Sequence, residues 1–246
     1  MKRKLDWRLR SLGCHLLFED DALLVLDKPQ NLLVLPDRFN KALPNLYTTL
    51  SEELGSIFVV HRIDKETSGV MVFAKTADAH ARLNEQFEGR TVEKVYQALV
   101  VGELHPVAGV VDLPLSETER GVMRVDRKRG KESVTGYRVV EQFKGYALVE
   151  LKPQTGRQHQ IRVHLQAMGT SIVGDPLYGD GKGFYLSAVK PGYRSEGEEK
   201  PLLNRTALHA VSLSIDHPTT GERMTFSAPL PKDMSSVLKY LRKFRS

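Results

Sequence analysis

The chain has 246 residues, with 36 lysines and arginines against 30 aspartates and glutamates, which gives a net charge of +6. This length can bury a hydrophobic core without cross-links, and a single cysteine, Cys14, excludes an intramolecular disulfide and a cysteine-based metal centre. The basic start MKRKLDWRLR is not followed by an apolar stretch of signal-peptide length, and no later segment could span a membrane. We therefore expect a cytoplasmic protein.

The N-terminal part of the chain predicts short strands and one helix. After residues 1–15, which we interpret as a basic extension, the apolar runs of LLFEDDALLVLD predict two strands joined by a turn. Residues 46–55, LYTTLSEELG, place leucines four apart before a glycine, which predicts a helix. The runs IFVV and GVMVFAK predict strands, so HRIDKETSG, residues 61–69, is expected to be a loop between them.

The remainder of the chain predicts two more helices inside a series of hairpins. Thr76 or Asp78 can cap a helix that ends at Gly89, and GRQHQIRVHLQAMG predicts another after the turn Pro153 to Gly156. Further strands are expected at KVYQALVVG, GVVDLPL, TGYRVVEQF, YALVELKP and in LHAVSLSIDHPTTGERMTF, and SSVLKYLRKF predicts a terminal helix. Since most strands lie in hairpins, we expect an α+β fold with a mixed, mainly antiparallel sheet and flanking helices.

Domain organisation gives few signals in this sequence. There is no internal repeat, and no change of composition marks a linker, so we expect residues 16–246 to form one domain. Only the segment 179–204 lacks clear periodicity, and we interpret it as an insertion loop.

Positive charge is concentrated in three segments. Residues 120–131 hold six cations and one acid, residues 152–164 contain no acid, and the C-terminal LKYLRKFRS adds four cations. Any one cluster is explained equally well as a solvated loop. Together they favour an anionic partner such as a phosphate backbone.

Asp64 is the first candidate for chemistry because it lies between the cations Arg62 and Lys65 at the end of an apolar strand. A nearby cation favours the ionised carboxylate, which is the form that a nucleophile or base requires. From local chemistry alone, an aspartate that caps the loop and pairs with Arg62 is the more common alternative.

The sequence does not support a metal or nucleotide cofactor. His159 and His164 are five residues apart, so on a helix they cannot share one face, and His61 has no HExxH pattern around it. Neither a phosphate-binding glycine loop nor GxSxG is present. We therefore expect hydrogen-bonding histidines and no cofactor, and a metal-dependent phosphodiesterase is disfavoured.

Several segments carry a resemblance to one family. In chain order they are LLVLDKPQNLLVLP, HRIDKETSGVMVFAK, VEKVYQALV, LKPQTGRQHQIRVHL, GDPLYG, LHAVSL and HPTTGE. With these segments the sequence resembles the RluA family of pseudouridine synthases from about Leu16 to Pro231. The resemblance implies isomerisation of uridine to pseudouridine in ribosomal RNA or tRNA, without a cofactor, on a pseudouridine synthase fold whose sheet is split by a central active-site cleft.

The resemblance also implies the catalytic residues. It places the catalytic aspartate at Asp64, an active-site tyrosine at Tyr96 and an active-site arginine at Arg162. The carboxylate would either attack the ribose or remove a proton from it, and the sequence leaves both routes open. Arg162 would keep Asp64 ionised, and Tyr96 would stack on the base.

RNA contacts are expected from cations and from the catalytic loop. A uridine in folded RNA must be extruded before it can react, and Arg62 is a candidate to occupy the space that it leaves. The residues that we expect to contact RNA are His61, Arg62, Arg127, Lys128, Arg129 and Arg157.

Three departures from the family pattern lie outside the expected catalytic residues. Ile63 and Leu35 replace a common leucine and histidine, and Gln30-Asn31 replaces Ala-Gly, although asparagine tolerates the left-handed conformation of a glycine. Because the pattern begins near Leu16, we expect no N-terminal S4 domain. A monomer with no protein partner suffices, and the alternative function is an RNA-binding protein that has lost its chemistry.

Overall fold

The computed structural model describes residues 2–245, and the chain divides into two compact units. The first unit comprises the residues up to Lys94 together with Ala210–Pro229, and the second comprises Val95–His209 and the chain from Leu230 onward. Two of the boundaries fall inside strands, and the third lies in the short connection between Ser227 and Lys232, so the composition of the sequence carries no signal of this division.

Five helices and twelve strands are described. In chain order they are α1 (Lys2–Ser11), β1 (His15–Glu19), β2 (Leu23–Lys28), α2 (Leu46–Leu54), β3 (Phe58–Val59), β4 (Ser68–Ala74), α3 (Ala77–Glu88), β5 (Glu93–Val101), β6 (Ala108–Asp112), β7 (Leu115–Glu117), β8 (Met123–Val125), β9 (Val134–Phe143), β10 (Tyr146–Pro153), α4 (Gln160–Ala167), β11 (Leu208–Asp216), β12 (Arg223–Ser227) and α5 (Lys232–Phe244). None of the helices between residues 2 and 245 is long and apolar enough to cross a membrane.

The sheet of the first unit is built around β4. Strand β4 pairs with β2 and β3, β2 pairs with β1, and β11 lies next to β4 and pairs with β12. Every residue of β4 is buried, which explains its continuous apolar sequence. Its side chains pack with those of β2, α3 and β11, including Val25, Leu83 and Ile215. This core supports the loop that precedes β4.

Helix α1 belongs to the first unit, although the sequence analysis interpreted residues 1–15 as an extension. Leu5 and Leu9 are four residues apart and both are buried. Arg8 Nε donates to Glu53 Oε1 of α2 at 3.0 Å. The leucine spacing within the basic stretch was the available signal for this helix.

The second unit contains an antiparallel sheet in the order β5-β10-β9-β6 and a separate β7–β8 hairpin. Helix α5 packs on its core through buried Met234, Val237, Leu238 and Leu241. Arg205 Nε donates to Asp233 Oδ2 at 2.6 Å and fixes the first turn of α5. The α+β class and the mainly antiparallel pairing predicted from the sequence are confirmed.

The segment 179–204 forms a loop with one short 3₁₀ turn, Leu186–Ala188. Phe184, Val189 and Leu203 are nevertheless buried in the core of the second unit. Phe184 N–H donates to Leu203 O at 2.7 Å and closes the segment on itself. The insertion loop is therefore an anchored part of this unit.

Helix ends follow the predicted capping chemistry, with one exception. Thr76 caps α3 by accepting from Ala79 N–H, and α2 ends before Gly55 at φ 77°. Helix α4 begins only at Gln160, because His159 adopts a left-handed φ of 52°. The helix in the structure is thus shorter at its N-terminal end than the helix predicted over GRQHQIRVHLQAMG.

Gly69 is the position where the first unit is least tolerant of a side chain. Its φ is +117°, and an added Cβ would lie 2.1 Å from Ala210 O. We expect Gly69→Ala to lower the free energy of unfolding by on the order of 3 kcal/mol, from backbone strain plus overpacking. Urea denaturation followed by circular dichroism measures the loss.

Gly221 provides the matched control for this substitution. Its φ is +74°, but nothing lies within 4 Å of an added Cβ. Gly221→Ala should therefore lose only about 1 kcal/mol, the strain of the left-handed conformation. Equal losses for the two variants would contradict the close approach at Gly69.

Candidate active site

The loop that carries Asp64 is a tight turn whose two ends are buried. Thr67 N–H donates to Asp64 O at 3.1 Å, which closes the turn. Ile63 and Thr67 are buried on either side, whereas Asp64 is half-buried and its neighbours Arg62 and Lys65 are exposed. The core therefore fixes the backbone around Asp64 and leaves two cations facing water.

A buried ammonium group also fixes this loop. Lys28 is fully buried at the end of β2, and its Nζ donates to Pro29 O at 2.8 Å, Leu32 O at 2.9 Å and Lys65 O at 3.3 Å. Asn31 N–H donates to the same Lys65 oxygen at 2.7 Å. The residue that follows Asp64 is thus held by two donors, one at the end of β2 and one three residues later.

Asn31 reaches Lys65 because it adopts a left-handed conformation with φ 62°. Asparagine was expected to take the left-handed conformation of a glycine at this position, and this is confirmed. Asparagine adopts this conformation more readily than other side chains of its size.

His61 is held inside the first unit. Its Nε2 accepts a hydrogen bond from Val72 N–H at 3.1 Å, and its ring stacks on Phe87 with centroids 4.8 Å apart. Burial, with a smaller effect of the positive charge of Lys94, lowers the pKa of His61 to about 3. The neutral ring positions the start of the loop, and a contact of His61 with RNA stays a prediction.

Arg162 lies on α4 in a fully buried ion pair. Its Nε donates to Asp175 Oδ2 and its Nη2 to Asp175 Oδ1, both at 2.7 Å. Asp175 Oδ1 also accepts from Leu177 N–H at 2.9 Å and Tyr178 N–H at 3.1 Å. Burial raises the pKa of Asp175, but the hydrogen bonds and the charge of Arg162 outweigh burial and lower the pKa below its usual value. The pair is therefore ionised.

Tyr178 connects this pair to the β7–β8 hairpin. Its Oη accepts from Met123 N–H of β8 at 3.1 Å and hydrogen-bonds His159 Nδ1 at 2.9 Å. The guanidinium carbon of Arg162 lies 5.1 Å from the centroid of the Tyr178 ring, a cation–π contact. One side chain thus joins the start of α4, the buried arginine and a neighbouring hairpin.

Two further buried polar side chains of α4 hold the helix on β9. Gln160 Nε2 donates to Thr135 Oγ1 at 2.9 Å, and its Oε1 accepts from Thr155 Oγ1 at 2.7 Å. His164 Nδ1 hydrogen-bonds Thr135 Oγ1 at 2.9 Å. The expectation of hydrogen-bonding histidines at 159 and 164 is confirmed. Within residues 2–245, no group of three or more His, Cys, Asp or Glu is placed to hold a metal ion.

The basic segment after β8 forms an ordered turn. Asp126 Oδ1 accepts from Lys128 N–H and Arg129 N–H, each at 3.0 Å. Both hydrogen bonds lower the pKa of Asp126, and the one from Arg129 N–H has the larger effect. Gly130 N–H donates to Asp126 O at 2.9 Å and closes the turn. A side chain does not fit here, since an added Cβ would lie 2.4 Å from the same oxygen. The turn presents exposed Arg127, Lys128 and Arg129 to solvent.

The other basic clusters are partly engaged within the second unit. Arg162 is buried, and half-buried Arg157 donates from Nε to Glu132 O at 3.1 Å. In the C-terminal cluster, Arg242 Nε donates to Glu141 Oε2 at 2.8 Å. Among the three clusters, the turn of residues 127–129 presents three consecutive exposed cations.

The three residues predicted to be catalytic lie on different parts of the chain. Asp64 belongs to the first unit, and Tyr96 and Arg162 belong to the second. Tyr96 lies on β5 opposite Leu151 of β10, half-buried against the core of its unit. The joint role of the three residues stays a prediction.

Sequence reasoning missed the partners that hold these segments. Asp175 and Tyr178 both lie in GDPLYG, and neither these two residues nor Lys28 were predicted to hold another segment in place. One acid and one aromatic residue in a short Gly/Pro segment were the available signal for the first pair. A lysine between an apolar strand and a proline gave no signal of burial.

Comparisons with known proteins agree with the resemblance. Residues 22–167 match the sequence model of the family described as RNA pseudouridylate synthase. Ribosomal large subunit pseudouridine synthase D of Pseudomonas aeruginosa is 37% identical over 250 residues, which cover 98% of this chain and 75% of that protein. Uncharacterized RNA pseudouridine synthase YlyB of Bacillus subtilis is 36% identical over 249 residues, which cover 97% of this chain and 76% of that protein.

A solved structure gives the same result for the fold. Human RNA Pseudouridylate Synthase Domain Containing 4 superposes with a TM-score of 0.72 at 30% identity, covering 98% of each chain. The pseudouridine synthase fold expected from the sequence is thereby confirmed. The chain belongs to the RNA pseudouridylate synthase family, whose members isomerise uridine in RNA to pseudouridine.

Proposed function

We propose that this protein isomerises uridines of large-subunit ribosomal RNA, with Asp64 as the catalytic carboxylate. The observation that carries the proposal is the position of Asp64, which lies in the family's motif and on a turn anchored by Ile63, Thr67 and the carbonyl contacts of Lys65. The names of relatives such as the P. aeruginosa synthase support ribosomal RNA as the substrate.

The reaction breaks the glycosidic bond, turns the uracil and rejoins it through C5. In the proposed mechanism the Asp64 carboxylate either attacks the ribose or removes a proton from it, and both routes require the ionised form. The motif positions support Arg162 as the charge partner of the carboxylate and Tyr96 as the residue that stacks on the base. Asp175 holds the guanidinium plane of Arg162, so this arginine is pre-oriented for such a role.

The target uridine has to leave its helix before it reacts. Extrusion costs on the order of a few kcal/mol of stacking and pairing. Arg62 is exposed next to the catalytic turn, and we propose that it occupies the vacated space. Phosphate contacts from Arg127, Lys128, Arg129 and Arg157 offset part of the cost. The proposed location is the cytoplasm, where a lone cysteine stays reduced, and the proposed state is a monomer.

The first test replaces the catalytic carboxylate. We expect Asp64→Asn to abolish pseudouridine formation, because an amide can neither attack the ribose nor accept its proton, while affinity for RNA stays within a few-fold. Pseudouridine is measured by mass spectrometry of nucleosides from treated ribosomal RNA fragments. Asp78→Asn, an exposed aspartate in the first turn of α3, should retain full turnover.

The same assay distinguishes the alternatives. Appreciable turnover by Asp64→Asn would contradict the assignment of the carboxylate. Binding without isomerisation by the wild type would support a protein that has lost its chemistry, and cleavage of the RNA that a chelator stops would support a phosphodiesterase.

The second test addresses the basic turn. We expect Arg129→Ala to weaken RNA binding and to reduce the slope of log affinity against log salt by about 1, because one phosphate contact is lost. Filter binding over a range of salt concentrations measures both effects. Arg242→Ala is the matched control, since that guanidinium is already engaged with Glu141. An unchanged slope for Arg129→Ala would remove the turn from the interface.

A further inference from the structure

The segment between β2 and α2 leaves the core of the first unit and returns to it at one point. Leu46 N–H donates to Leu33 O and Tyr47 N–H to Val34 O, both at 2.9 Å. Val34 and Leu46 are buried beside these bonds. Residues 35–44 therefore form a loop that is closed at its base, which we call the Phe39 loop.

The tip of the Phe39 loop is an ordered turn that holds an aromatic ring in water. Asp37 Oδ1 accepts from Phe39 N–H at 2.9 Å and from Asn40 N–H at 2.8 Å. Phe39 is 97% exposed. A phenylalanine in this state gives up about 1.5–3 kcal/mol that its burial would contribute, so its position has no explanation in the stability of the unit.

Further apolar surface lies at the base of the loop. Leu35 follows Val34 in the sequence, and Tyr47 N–H donates a hydrogen bond to Val34 O. Leu35 and Tyr47 are each 38% exposed. The aromatic ring at the tip is thus accompanied by a second aromatic side chain and a leucine in the same loop region.

Two exposed cations flank the aromatic ring in the sequence. Arg38 and Lys41 are exposed on either side of Phe39. Hydrogen bonds from Asn40 and Phe39 lower the pKa of Asp37, and the positive charge of Lys65 contributes to the shift. Since Lys65 O also accepts from Asn31 N–H, the chain that enters the loop is attached to the residue next to Asp64.

We propose that the Phe39 loop binds single-stranded RNA beside the target uridine, with Phe39 stacked on an unpaired base and Arg38 and Lys41 on phosphates. An exposed aromatic ring between cations is the arrangement by which proteins bind unpaired nucleotides. The proposal rests on the proposed function, because a base that is flipped out leaves its neighbours partly unstacked and in need of a new partner.

The charges favour RNA over a protein as the occupant. The cores of protein interfaces are depleted of charged residues, whereas Arg38 and Lys41 are both within two positions of Phe39. The aromatic ring of Phe39 between Arg38 and Lys41 matches an RNA strand, in which bases alternate with phosphates. The exposed Arg62 and Lys65 of the catalytic turn extend the positive surface in the same unit.

The binding test compares Phe39→Ala with Phe39→Tyr on a single-stranded oligonucleotide cut from ribosomal RNA and on the same sequence annealed to its complement. Base stacking on an aromatic ring is worth about fivefold or more in affinity. We expect at least that loss for the alanine variant on single strands, little change on the duplex, and retention of affinity by the tyrosine variant. Val110→Ala, which truncates an exposed apolar residue of β6, is the matched control.

A direct signal of stacking comes from fluorescence. Trp7 is the single tryptophan, so the double variant Trp7→Phe, Phe39→Trp carries its only indole at the tip of the loop. Single-stranded RNA should quench this indole, and duplex RNA should not.

Three outcomes would overturn the proposal. The first is an unchanged affinity of Phe39→Ala for single strands, and the second is an equal loss of affinity for single and double strands. The third is a different oligomeric state of Phe39→Ala and the wild type in sedimentation, which would assign the surface to contacts between copies of the chain. The assays need no turnover, so absence of pseudouridine formation by the wild type would contradict the proposed function alone. In an active enzyme, Phe39→Ala should raise KM for RNA with unpaired flanks and leave kcat unchanged.

Discussion

The geometry of the second unit depends on one buried ion pair, Arg162 with Asp175. Burying two charges is unfavourable unless each finds several partners, and here the carboxylate accepts two guanidinium and two backbone hydrogen bonds. Loss of Asp175 would remove two hydrogen bonds from the buried guanidinium, and loss of Arg162 would remove the same two from the buried carboxylate. The pair therefore fixes α4 and the GDPLYG segment against each other, and Tyr178 extends this constraint to the hairpin that precedes the basic turn.

The first unit uses a cation in a comparable way. Lys28 is fully buried, and its ammonium group donates to three backbone carbonyl oxygens, one of them on Lys65 in the catalytic turn. Each unit thus positions its part of the family motif with a buried cation, whose strict hydrogen-bonding needs leave the backbone little freedom. This rigidity is what a catalytic group on a loop requires.

Local features of the fold were predictable because they depend on neighbours in sequence. Leucine spacing, the cap at Thr76 and the left-handed Asn31 all follow from residue type and short-range geometry. The partners of buried polar groups were not predictable, because Asp175 and Arg162 are brought together only by tertiary packing. The family motif did identify Asp64, Tyr96 and Arg162 as candidates, but it carried no information on what holds them in place.

The distribution of charge has a consequence for how RNA is recognised. The count of 36 lysines and arginines overstates the positive surface offered to a ligand, since Lys28, Arg162 and Arg205 are buried and engaged within the protein. Three consecutive exposed cations lie on one short ordered turn, at Arg127–Arg129. A few fixed contacts give a modest electrostatic contribution, so selection of the target must draw on features other than charge. Exposed rings and the ease of extruding one uridine are the properties of this protein and its substrate that can supply that selection.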